Sequence, residues 1–195
     1  MINEEQAKAL VLHRCETFSQ DGERFAVQSC ALSGNGDYWI VRANSEDFVL
    51  RGIHERCYVG VNAHLVNTAS GDIETVGSAQ SVEQYLEDEY DLIQAGDKHY
   101  VLEPNFGRDD KATTILLRQK LDCSLQRAIE FLSPVSRCWL TGKKSTLRKA
   151  QDMLAREGIS TSIQLQAEPG SALQIDDSVW YWEALKALLN RHGIK

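Results

Sequence analysis

Five carboxylates crowd one short stretch of the chain, SVEQYLEDEYD: Glu83, Glu87, Asp88, Glu89 and Asp91. Paired carboxylates can serve as acid and base in glycoside hydrolysis, but that reaction also wants a deep, aromatic-lined cleft. A calcium site draws its oxygens from an Asp/Asn/Gly loop, not from a regular helix. A solvated helix face needs no ligand, and a docking face for a basic partner uses the same exposed charge to speed encounter. The local pattern is helical. Ser81 with Gln84 three residues on fits a capping box. Val82, Tyr85, Leu86 and Ile93 fall on one stripe, and Glu83, Glu87, Asp88 and Asp91 lie mainly away from it. The acids are therefore expected to face water, as a surface for a basic protein and not as a catalytic or metal centre.

Other chemistry-bearing residues carry weaker patterns. TGKKST suggests a phosphate loop, but the Walker pattern requires glycine where Arg137 stands and Ser or Thr where Lys144 stands. Without glycines the backbone cannot curl around a phosphate. Lys143, Lys144, Arg148 and Lys149 then read as a solvated basic helix start. The histidines, His13, His54, His64, His99 and His192, show no ligand spacing. Cys57 lies three residues from His54, which in a strand puts the two on opposite faces. The five cysteines include no CxxC pair and read as small buried hydrophobes, not as disulfides or zinc ligands. Trp180, Tyr181 and Trp182 cannot all face one way on a helix, because successive residues are about 100° apart. Trp180 joins the candidate partner-contact residues.

The elements that must position these groups fall into two rhythms. From the N-terminus come a helix over about 4–16, a hairpin of FAVQSCAL and YWIVRA around SGNGD, and strand-like DFVLRGI, CYVGV and AHLVN. A TASGD turn, the alternating strand DIETV and the acidic helix follow. From Asp97 the pattern becomes β-α-α-β-α-β. HYVLEP is a strand, and KATTILLRQKL a helix with Ile115, Leu116 and Leu121 inward. DCSLQRAIEFL is a short helix capped by Asp122 or Ser124, and SRCWLTG a strand. A helix from about Ser145 to Arg156 is stopped by Gly158, and SIQLQ closes the set. AEPGSALQ reads as a linker to a last helix, SVWYWEALKALLNRHG, capped by Asp177 or Ser178. The fold class expected is α+β with two small domains. An antiparallel meander with flanking helices spans 1–96 and a β-α-α-β-α-β sandwich spans 97–168. A linker and C-terminal helix occupy 169–195.

Composition excludes several classes. The chain has 195 residues, 43% hydrophobic and 25% charged, which suits a packed core and not disorder. No apolar run approaches the roughly 20 residues of a membrane span. The acidic, amphipathic start is unlike a secretory signal, so a cytoplasmic location is expected. Residues 1–96 carry 6 Lys and Arg against 16 Asp and Glu, while residues 97–195 carry 15 against 12. An acidic first half repels phosphate, so nucleic acid is not the expected ligand.

Two families are similar. GVNAHLVNTASGDIETVGSAQSVEQYLEDEYD resembles the immunity-protein-35 family, which includes YrhB-like proteins, through Gly60, Asn62, Leu65, Val66, Gly71, Val76, Gly77, Ser78, Glu83, Tyr85 and Leu86. Val61 separates a Gly-Asn pair that the family often has adjacent, and Ala63 stands where a proline often follows. The resemblance implies a bacterial protein that neutralises by binding a toxin delivered by neighbouring cells, with a chaperone-like stress role as the alternative. The second half resembles the C-terminal domain of the ribosomal stalk protein through Lys111, Ile115, Leu125, Ala128, Leu132, Ala150, Leu154 and Gly158. It implies a compact protein-binding α/β sandwich. LDCSL replaces that domain's glycine-rich turn, so ribosome binding is not carried over. Together these give the expectation of a non-enzymatic immunity protein needing no cofactor, with a chaperone-like stress protein or a general protein-binding module as the alternative. Its cognate toxin would be a basic, nuclease-like domain, met by Glu83, Glu87, Asp88, Asp91 and Trp180.

Overall fold

A computed structural model of the chain describes residues 1–19 and 22–191. It is α+β, with two four-stranded sheets, and it divides into two compact units, 1–86 and 87–195. The division falls inside a helix, not after it at residue 96. No helix among the described residues is long and apolar enough to cross a membrane.

The first unit opens with α1 (Glu4–Phe18), whose start is closed reciprocally: Gln6 N–H donates to Asn3 Oδ1 and Asn3 N–H to Gln6 Oε1, both 2.9 Å. Then come β1 (Phe25–Leu32), β2 (Tyr38–Ser45), α2 (Glu46–Arg51), a single helical turn at His54–Arg56, β3 (Val61–Asn67) and β4 (Ile73–Gly77). The strands pair antiparallel in the order β1-β2-β3-β4. Ala7 and Val11 of α1 are fully buried with Val41 and Val66 of the sheet. Burial of each valine side chain is worth about 1.5–3 kcal/mol. The expected strand DFVLRGI is instead the helix α2. Ser45 accepts the Phe48 N–H at 3.1 Å, and Gly52, at φ 70°, ends it in the left-handed region.

Helix α3 (Val82–Ala95) starts as expected, with the Ser81 hydroxyl accepting the Gln84 N–H at 3.1 Å. Its buried stripe differs. Val82, Leu86, Asp91 and Ala95 are buried, whereas Ile93 is 71% exposed.

The second unit continues with β5 (His99–Pro104), α4 (Lys111–Leu121), α5 (Leu125–Phe131), β6 (Leu140–Thr141), α6 (Lys144–Arg156) and β7 (Thr161–Gln166). The sheet order is β7-β5-β6-β8, the last strand being Leu173–Gln174, parallel to β6 and inside the expected linker. On α4, Thr114, Leu117 and Leu121 face inward, and Ile115 is 46% exposed. Ser124 caps α5, while Asp122 ends α4 at φ 51°. Gly142 leads into α6. A Cβ there would lie 2.7 Å from the Ile175 carbonyl oxygen, so only glycine lets the chain pass.

The last helix, α7, runs Trp182–Arg191 and not from residue 178. Asp176 Oδ1 accepts the Ser178 N–H at 2.9 Å, which holds that segment in a turn. Leu185, Leu188 and Leu189 of α7 share one core with Leu102, Leu117, Phe131, Trp139, Leu147 and Leu154. Helix α7 is thus part of the second unit's core and not an appendage to it.

Candidate functional site

The acidic helix and the basic TGKKST segment meet each other. Asp91 Oδ1 takes a 2.6 Å contact from Lys144 Nζ, Asp88 lies 3.7 Å from Lys143 Nζ, and Glu87 pairs with Arg148. Asp91 is 8% exposed, with its second carboxylate oxygen buried and, among the described residues, unpartnered. The expectation that Asp88 and Asp91 face water is therefore corrected. The basic first turns of α6 pack on this side of α3, and a carboxylate so enclosed is retained only when paired. Glu83 stays exposed, and Glu87 is half-exposed within its pair. The Lys143–Lys144 patch is likewise not a free basic face. Lys144 also sits 5.1 Å above the Tyr100 ring.

Trp180 and Tyr181 lie ahead of α7, 74% and 48% exposed, with ring centroids 4.9 Å apart. Trp182 packs against the core. The triplet thus divides, but not through helical spacing, because its first two rings precede the helix.

A third cluster, on the first unit, escaped the sequence reading. Cys15 Sγ on α1 lies 3.6 Å from His64 Nε2 on β3, and His64 Nδ1 lies 3.2 Å from Thr75 Oγ1 on β4. The register pairs His64 directly with Thr75, which puts both on the sheet face that α1 covers. These three line a cavity of about 270 Å³ together with Arg14, Phe18, Phe25, Tyr58, Val59 and Val61. Its rim is apolar and open to solvent: Phe18 is 78% exposed, Val59 88%, Val61 48% and Tyr58 45%. The separation of 49 residues between Cys15 and His64 left no local spacing to read. The only cue was the histidine alternating into an apolar strand. All five cysteines are free thiols and half-buried, not fully buried. Cys138 is pushed up to about 11 by burial and by its contact with Glu103. No three His, Cys, Asp or Glu side chains gather as a metal site among the described residues, and His192 lies outside them.

Burial raises the Cys15 thiol and lowers the His64 imidazole, and the Arg14 charge lowers the ring further. Both groups are thus neutral in the fold. In the unfolded chain the ring protonates near its ordinary value of about 6.5. The unfolded state then holds the extra proton, so stability is full above that pH and falls as pH drops toward the ring's lowered value. Urea midpoints followed between about pH 8 and 5 should show this loss in the native chain and a smaller one in His64→Gln. Parallel curves for the two would show that the ring carries no such linkage.

The chain matches no family model, no curated protein and no solved structure.

Proposed function

We propose that this protein works by binding another protein and has no turnover chemistry of its own. The reading that fits best is an immunity protein that neutralises a cognate toxin. The observation that carries it is the exposed apolar cluster of Phe18, Tyr58, Val59 and Val61 around one cavity. Clustered exposed aromatic and aliphatic side chains mark interaction sites, because their burial drives association. Residues 1–86 carry 12 Asp and Glu against 6 Lys and Arg, so this apolar anchor sits in an acidic unit. That charge favours a basic partner, as a nuclease-like toxin would be, and disfavours nucleic acid itself. Glu83 and Trp180 remain candidate contacts. Glu87, Asp88 and Asp91 keep a weaker place in the proposal, since their charge is already paired.

The test is co-expression with toxin modules encoded beside the gene. The expected result is restored growth and a one-to-one complex. Phe18→Glu with Val59→Glu should weaken that complex by about a hundredfold, as loss of two anchors would. Glu83→Lys should mainly slow association, and less so in high salt. Binding that ignores the double variant places the interface elsewhere. Retention of many unfolded clients, with no single partner, would replace immunity by the chaperone-like role.

A further inference from the structure

We propose that Cys15 accepts an acyl group from an apolar acyl thioester or ester, with His64 as general base and Thr75 as the hydroxyl that positions the imidazole ring. This goes beyond partner binding: it is a single transfer onto the chain itself. The geometry is that of a nucleophile, a base and an orienting group in series, at 3.6 Å and 3.2 Å. With Nδ1–H donating to Thr75 Oγ1, Nε2 is left to accept the thiol proton. His64 is 7% exposed and so held in place between β2 and β4. The cavity beside it offers Phe18, Phe25, Val59 and Val61 to an apolar chain. Among the described residues its one charged lining residue is Arg14, whose charge acts on both Cys15 and His64. A cation there suits the oxyanion that forms when a thiol adds to an acyl carbon.

The step balances without a redox partner. The Cys15 Sγ–H proton moves to His64 Nε2 as Sγ bonds to the acyl carbon. The bond from that carbon to the leaving sulfur or oxygen breaks, and the imidazolium returns the proton to it. The products are acylated Cys15 and a free thiol or alcohol. Because both groups rest neutral, proton transfer accompanies attack and no standing thiolate is needed.

The test uses the isolated full chain, so it does not depend on any partner. Octanoyl and acetyl thioesters are offered in turn, and acylation of each cysteine is followed by peptide mass. Octanoyl transfer to Cys15 should outrun that to Cys57 by at least about tenfold, and His64→Gln should slow it by about a hundredfold. Acetyl should show no such preference, because it cannot fill the cavity. Thr75→Val should slow transfer and Thr75→Ser should keep it, which separates ring positioning from packing. If His64→Gln does not fold, the chain-length comparison in the unaltered protein decides. Equal labelling of Cys15 and Cys57, or a Cys15 rate indifferent to chain length, overturns the proposal.

Discussion

Trp139→Ala is expected to cost about 3–5 kcal/mol, a large share of the roughly 5–15 kcal/mol that keeps a domain folded. Trp139 is fully buried at the centre of that unit's core. Its ring meets Phe131 edge-on at 5.7 Å and Phe106 at 6.5 Å, and its indole N–H donates to the Phe131 carbonyl at 2.9 Å. Truncation therefore removes aromatic packing, opens a cavity and deletes a buried hydrogen bond at once. Trp139→Phe keeps most of the packing and loses the hydrogen bond, so about 1–2 kcal/mol is expected. Chemical denaturation followed by far-UV circular dichroism measures both. If Trp139→Ala lost less stability than Trp139→Phe, this packing would not be what holds the unit together.

Lys144→Met is expected to be the second-largest loss, about 2–3 kcal/mol, because it strands a buried carboxylate. Asp91 and Lys144 side chains are 11% and 24% exposed, and the Asp91 oxygen not facing Lys144 has no other partner among the described residues. Removing the cation leaves an anion that the interior solvates poorly. The double variant Asp91→Leu with Lys144→Met should recover most of the loss, since a well-packed apolar pair is often as stable as a buried ion pair. Arg148→Met should cost far less, because both partners in its pair with Glu87 are half-exposed. A Lys144→Met variant with an unchanged urea midpoint would mean that water reaches Asp91.

These pairs show where the sequence could be read and where it could not. Periodicity located most helices and strands, since 3.6 and 2.0 residue repeats survive in the order of side chains, but CYVGV, expected as a strand, joins β3 only at Val61. It failed where local chemistry competes. Phe48, Val49, Leu50 and Ile53 look like a buried strand, yet the Ser45 cap and Gly52 stop make a short helix. Asp176 pulls Ser178 into a turn, which delays α7 to Trp182. On α4, three consecutive apolar residues left the phase ambiguous, and Leu117 took the inward place expected of Ile115. The site was less legible still. Asp91 and Lys144 are 53 residues apart, and Cys15 and His64 are 49 apart. No spacing rule reaches that far. Each group read alone gave a surface charge, a buried thiol or a stray histidine, and only the strand register and helix packing bring them together.

The division of the chain inside α3 matters to anyone who dissects it. A fragment starting at residue 97, where composition suggests the second half begins, loses Glu87, Asp88 and Asp91 but keeps Lys143, Lys144 and Arg148. It would carry 15 Lys and Arg against 12 Asp and Glu, where residues 87–195 carry 15 against 16. Such a fragment strips these cations of the carboxylates that pair with them, and its net positive charge would make it adhere to nucleic acids. Affinity found that way would report the cut and not the protein. A start at or before Ser81, which keeps α3 and its cap whole, avoids the artefact.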